Sequence, residues 1–159
     1  MIRALLGGLL VWQAFSYWYL AVPGVALWLW SLHTDRMRTR LWRTALYGAA
    51  LYGPLVHWFT VLGTDAWLLM TLLCVLPLLI VALPSKHVGP VTLAAAVTVA
   101  EWVHSEVPYG GFPWGLLAYT QVDGPLAWAA RLGGQELVTA LVALVAAAFA
   151  GRGRWATGR

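Results

Sequence analysis

Charge is scarce in this chain, and the scarcity decides its class. Asp, Glu, Lys and Arg make up 10% of the 159 residues, against about 25% in an ordinary soluble domain. So few charges cannot cover a globule in water. With 61% hydrophobic residues and a mean hydropathy of +0.73, the composition points to an integral membrane protein. Cysteine is almost missing as well. Cys74 stands alone, which excludes an intrachain disulfide and a thiolate metal cluster. Set in MTLLCVLPLLIV, it reads as a small apolar residue facing lipid or a neighbouring helix. Lysine is represented by Lys86 only. No second histidine or carboxylate lies at ligand spacing from His57, so no metal site and no cofactor is expected. His57, beside Trp58, reads as an interfacial anchor.

What the chain does have is arginine, placed with a bias. Arg36, Arg38, Arg40 and Arg43 form one cluster, and Arg152, Arg154 and Arg159 form another at the end. Both flank apolar runs, as cytoplasmic segments of membrane proteins do. No basic stripe with interleaved aromatics is left to hold a phosphate backbone, so nucleic acid is excluded despite the net charge of +4. No small-x-small site precedes a polar region, so no cleavable signal peptide is expected.

The apolar runs divide the chain into an all-α membrane domain over 1–150 and a basic cytoplasmic tail over 151–159. An uncharged stretch from Ala4 to about Leu32 is too short for two full crossings at 1.5 Å per residue. AVPG, Ala21 to Gly24, is a turn signal that leaves two readings, two short helices in a tight hairpin or one span with a kink; the even span count that the charges ask for favours the two helices. HTDRMRTRLWR (His33–Arg43) is a basic loop. Further spans are expected at about Leu41–Leu62, Ala66–Leu83, Val91–Val107 and Gln135–Ala150, with GTD and PSKHVGP as connections. Ala45, Ala49 and Gly53 recur every fourth residue and predict a face for close helix approach. With six spans and both termini inside, nine of the ten basic residues are cytoplasmic, and five of the six acids lie outside or in the outer half of a span. The opposite orientation reverses that bias.

PYGGFPWGLLAYTQVDGPLAWAARLGG, Pro108 to Gly134, then faces outward. Its prolines and glycines make it irregular, which at membrane depth is tolerated only against protein, water or headgroups. Tyr109, Phe112, Trp114, Tyr119 and Trp128 suit the headgroup level. Two readings stand: an anchoring loop, or a lip over which a lipid enters. Asp123-Gly124-Pro125 reads as a turn, and Gln135 and Glu136 as the start of the last helix. Glu101 and His104, one helical turn apart, are either a pair that satisfy each other near the interface or a functional pair.

The stretch from Glu101 onward resembles the membrane domain of bacterial apolipoprotein N-acyltransferases. The matching residues are Glu101-Trp102, Gly111-Phe112-Pro113-Trp114, Ala118-Tyr119-Thr120-Gln121, Asp123, Pro125-Leu126 and Gly133. AFSYWYLAVPGVALWLWSL resembles the family's short first hairpin, and YGAALYGPLVHWF its Gly-rich third helix. His104 stands where the family has an arginine, and Trp18-Tyr19 where it has Tyr-Asp. The resemblance implies a domain that admits membrane phospholipid and diacylglyceryl lipoproteins. It makes Glu101, His104, Phe112, Pro113, Trp114, Tyr119 and Gln121 the expected lipid entrance. In that family an acyl chain passes from phospholipid to a cysteine thiol and on to the α-amino group of the lipoprotein's lipidated cysteine. A Cys/Glu/Lys set in an extracytoplasmic nitrilase-like domain does this chemistry. No catalytic residue of that kind is expected here: Cys74 falls mid-membrane and Lys86 on the cytoplasmic side. This sequence alone is therefore expected to be inactive. The other reading is a non-catalytic membrane anchor or partner for a separately encoded enzyme. A small transporter is weaker, since no inverted repeat or paired broken helices surround mid-membrane charges.

Overall fold

Six α-helices run through the described residues, 1–84 and 88–156, of a computed structural model, and no strand occurs among them. They are α1 (Ile2–Ala14), α2 (Ala21–Ser31), α3 (Met37–Leu55), α4 (Thr64–Leu78), α5 (Pro90–Glu106) and α6 (Ala130–Ala156). Short 3-10 turns at Trp18–Leu20, His57–Leu62, Leu79–Ala82, Leu117–Gln121 and Ala127–Ala129 link or extend them. Lys86 and residues 157–159, the end of the expected tail, lie outside the described residues. The backbone of the tail's first part, up to Ala156, continues α6.

The helices close into a ring: α1 on α3, α3 on α4, α4 on α5, α5 on α6, α6 on α2, and α2 back on α1. Two segments, Thr64–Ala82 and Ala127–Gly151, are long and apolar enough to cross a membrane. The first two helices are short, with 13 and 11 residues, or roughly 20 and 16 Å at 1.5 Å per residue.

Local chemistry explains where the helices stop. Pro90 at the first position of α5 needs no N–H there, and α5 ends ahead of Pro108. Pro77 removes an N–H near the end of α4, and the chain tightens into the 3-10 turn Leu79–Ala82. Asp65 sits in the first turn of α4, favoured by the helix dipole.

Three sequence expectations are corrected. HTDRMRTRLWR is a loop only as far as Arg36, because α3 begins at Met37 and takes in Arg38, Arg40 and Arg43. AVPG is not the turn of the first hairpin. The chain reverses at Phe15–Tyr17, and AVPG is the opening turn of α2, with Pro23 at its third position. An N–H there has no intrahelical partner to lose, so proline costs nothing. The stripe Ala45-Ala49-Gly53 is not the close-packing face of α3 either. Ala49 is exposed, and a side chain at Gly53 would meet only the edge of Trp67. The close approach lies one residue back, at Gly48, where a Cβ would press on Val75 at 2.9 Å and Leu78 at 3.1 Å. The tightest contacts involve α1. A Cβ on Gly7 would stand 2.6 Å from the Gly24 carbonyl, and one on Gly8 would strike the Tyr47 carbonyl.

The core inside the ring is aromatic and aliphatic with few polar groups. Trp28 stacks on Tyr47 at 4.1 Å between centroids, and its indole N–H donates to Thr44 Oγ1 at 3.3 Å. Arg3, Arg40 and Arg43 sit at one end. Arg43 donates to the Ser31 carbonyl at the end of α2, and Arg40 to the Pro84 carbonyl beyond α4. Both supply donors to carbonyls that a helix end leaves without partners. The Arg3 guanidinium lies over the Trp30 ring, 3.7 Å from its centroid.

Candidate functional site: a polar loop held inside the ring

At the opposite end, the connection between α5 and α6 does not simply lie across the bundle. Leu116, Leu117, Thr120 and Gln121 are buried, and the turn Leu117–Gln121 packs against α6 and α1. The backbone bends needed to bring it there fall on glycines. Gly115 has φ +74°, and a side chain on it would collide with Leu55 and Tyr52. Gly111, at φ +67°, passes so close to the Ser105 backbone that a Cβ could not fit.

Glu101 fixes this arrangement. It is 9% exposed on α5. Its Oε1 accepts the Leu117 backbone N–H at 2.7 Å and its Oε2 accepts the Thr139 hydroxyl at 2.6 Å. One carboxylate thus joins α5, the loop and α6. A small cavity of about 10 Å³ touches Glu101, Tyr47, Tyr52, Gly115 and Leu117, which is room for about one water molecule. A second space of similar size lies between Glu101, Trp102, Ser105, Gln135 and Thr139.

His104, buried on α5, does not bond to Glu101, so the pairing allowed by their spacing is not made. Its Nε2 lies 3.1 Å from the Trp114 carbonyl, which makes that nitrogen the donor. The His104 carbonyl in turn accepts the Phe112 N–H at 3.0 Å. Its ring stacks on Tyr52 at 5.3 Å. His104 therefore grips the Gly-Phe-Pro-Trp segment at both ends.

The other expected residues divide into buried and exposed. Phe112 is half-buried and meets Phe59 edge-on at 6.0 Å; Pro113 beside it is exposed. Trp114 is exposed and lies 5.4 Å from Trp58. Tyr119 is exposed, and its hydroxyl donates to Gln135 Oε1 at 3.1 Å. Gln121 is buried, and its Nε2 donates to the Trp18 carbonyl and to Thr120 Oγ1, each at 3.1 Å. Gln121 thus bolts the loop to the turn between α1 and α2. The loop tip is Tyr109, wholly exposed. Asp123-Gly124-Pro125 forms the expected turn, closed by the Gly124 N–H on the Gln121 carbonyl at 2.8 Å. Gln135 and Glu136 open the regular part of α6, just after the helix breaks at Gly133 and Gly134.

Sequence reasoning missed Thr139, Tyr52 and Trp18 as partners. Thr139 was the one findable signal, a hydroxyl in the otherwise apolar LVTALVALV. Cys74 is 1% exposed on α4, with its backbone beside His104 and its side chain near Tyr52. Among the described residues no group of three or more His, Cys, Asp or Glu could hold a metal. The loop can hold a shape and present aromatics.

These features define a class: an all-α domain with membrane-length apolar helices, plugged at one end by an ordered, aromatic-rich loop. The chain belongs to the family of the apolipoprotein N-acyltransferase N-terminal domain, whose model matches residues 6–148. It is 36% identical over 104 residues to an apolipoprotein N-acyltransferase of Chromobacterium violaceum, which is 57% of this chain and 20% of that protein. Over 52 residues it is 46% identical to the Vibrio vulnificus protein of that name and 44% to the Vibrio parahaemolyticus one. Those matches cover 33% of this chain and 10% of each relative. The chain thus matches a fifth or less of the length of these relatives.

Proposed function

We propose that this chain is the multi-pass membrane domain of an apolipoprotein N-acyltransferase, and that Pro108–Gly134 forms its entrance for phospholipid and diacylglyceryl lipoprotein. The observation that carries the reading is the clamp on the Phe112–Gln121 segment. Glu101, His104 and Gln121 hold it from below, so Trp114 and Tyr119 stand at a fixed place on the rim. A merely anchoring loop needs aromatics at the headgroup level but no buried carboxylate to shape it.

In this reading each of the six helices crosses the cell membrane, with both termini cytoplasmic. The separation of charge supports it. Arg3, Arg40 and Arg43 share one end of the ring, while Asp65, Glu106, Asp123 and Glu136 lie at or near the other ends of their helices. The acyl-transfer chemistry itself belongs to a Cys/Glu/Lys set outside these 159 residues. The buried Cys74 favours keeping the second reading, a membrane partner of a separately encoded enzyme. Co-purification of such an enzyme with this chain distinguishes the two.

The test is a chimera. Residues 6–148 replace the matching domain of the Chromobacterium violaceum protein, and lipoprotein N-termini are read by mass spectrometry in cells that depend on the chimera. N-acylated lipoproteins are expected. A chimera that enters the membrane at normal levels yet leaves the lipoproteins diacylated contradicts the proposal.

A further inference from the structure

Among the described residues, an open apolar space lies on the side of the ring. It is a groove of about 470 Å³ between α2 and α6, lined by Val22, Pro23, Ala26, Leu27, Trp30, Phe149 and Ala150. That size falls among ligand sites of roughly 300–1,000 Å³. The lining is wholly apolar, and the four α2 positions beyond Val22 recur along one face of the helix, so the groove is elongated along the helix axis.

One end is chemically different. Trp30 carries the Arg3 guanidinium on its ring at 3.7 Å. Arg3 is exposed. Stacking on an indole holds a guanidinium by its face and leaves its N–H edge for an anion. Arg43, bonded to the carbonyl of Ser31, adds a second positive charge at the same end of α2.

We infer that this groove binds one anionic phospholipid, with an acyl chain along Val22–Trp30 and the phosphate on Arg3. A transmembrane helix would also cover an apolar groove, but it would leave the cation at the groove's end without an anion. The lipid satisfies both. The site rests on the membrane part of the reading above and is independent of acyl transfer. Its cationic end, at Trp30 and Arg3, lies in the leaflet that faces the arginines.

The full-length protein is reconstituted in vesicles of phosphatidylcholine and phosphatidylglycerol in equal amounts, and retained lipids are counted by native mass spectrometry after gentle release. Wild type is expected to keep one phosphatidylglycerol in preference to phosphatidylcholine. Arg3→Gln is expected to lower that retention about tenfold, the scale of one lost charge-assisted hydrogen bond. Arg3→Lys restores most of it, and Ala26→Trp, which fills the groove, abolishes it. Equal retention of both lipids, or retention unchanged in Arg3→Gln and Ala26→Trp, overturns the site. So does a disulfide crosslink from Leu27→Cys to a cysteine-scanned transmembrane helix, which would put protein in the groove. A protein that fails to float with the vesicles contradicts the membrane reading instead.

Discussion

Glu101 shows how much a single residue can organise. Its two oxygens are both committed, to a backbone N–H and to a hydroxyl. Truncation leaves two buried donors without acceptors, each costing about 1–3 kcal/mol. Glu101→Ala is therefore expected to lose about 2–4 kcal/mol of stability, read as a lowered melting temperature in detergent. Glu101→Gln should lose much less. Its amide oxygen still accepts from Leu117, and the Thr139 hydroxyl can turn to accept from the amide nitrogen. Equal losses for the two variants would show that the loop does not depend on this clamp. Sequence alone pointed to Glu101 and His104 because ionisable groups in apolar helices stand out. It could not point to their partners. Two of these are main-chain groups, Leu117 N–H and the Trp114 carbonyl, which carry no residue signature. The spacing of Glu101 and His104 suggested a mutual pair, and the structure turns each toward a different part of the loop.

At the scale of helices, glycine decides which faces meet. The pattern Ala45-Ala49-Gly53 had the right period for α3 but the wrong face, because small residues also occur where a helix faces out. The faces that do meet are marked by Gly7, Gly8 and Gly24, within short helices whose boundaries were misplaced at AVPG. Gly7→Val should separate α1 from α2, since its side chain has only the Gly24 backbone to move. Sharply reduced folded yield is expected on fluorescence-detected size exclusion, while Gly89→Ala, with nothing within 4 Å, behaves as wild type. A normal yield for Gly7→Val would refute the tight α1–α2 contact. Gln121 makes a second link between elements far apart in sequence. Gln121→Leu removes its bond to the Trp18 carbonyl. Faster hydrogen exchange is expected both in the loop and at Trp18–Leu20. Faster exchange in the loop alone would mean that the two do not hold each other.

The whole molecule is a ring with two unlike ends. The order and type of its helices were legible from apolar runs and turn residues, because the runs carry few charges and most connections are polar or rich in proline and glycine; the first turn, Phe15–Tyr17, has neither mark. The burial of Leu116–Gln121 was not legible, since an irregular stretch with aromatics looks the same whether it lies on the membrane or inside the bundle. The ends differ in charge, with arginines on helix carbonyls at one and a clamped aromatic loop at the other. The central claim is that the clamped loop faces the outside of the cell, where an acyl acceptor can reach it. Cysteine labelling in intact cells tests it most directly, in a Cys74→Ala background with Tyr109→Cys at the exposed loop tip and Arg38→Cys at the arginine end. A membrane-impermeant maleimide is expected to label Tyr109→Cys in intact cells and Arg38→Cys only after the cells are broken. Labelling of Arg38→Cys in intact cells, with Tyr109→Cys protected, would contradict the account.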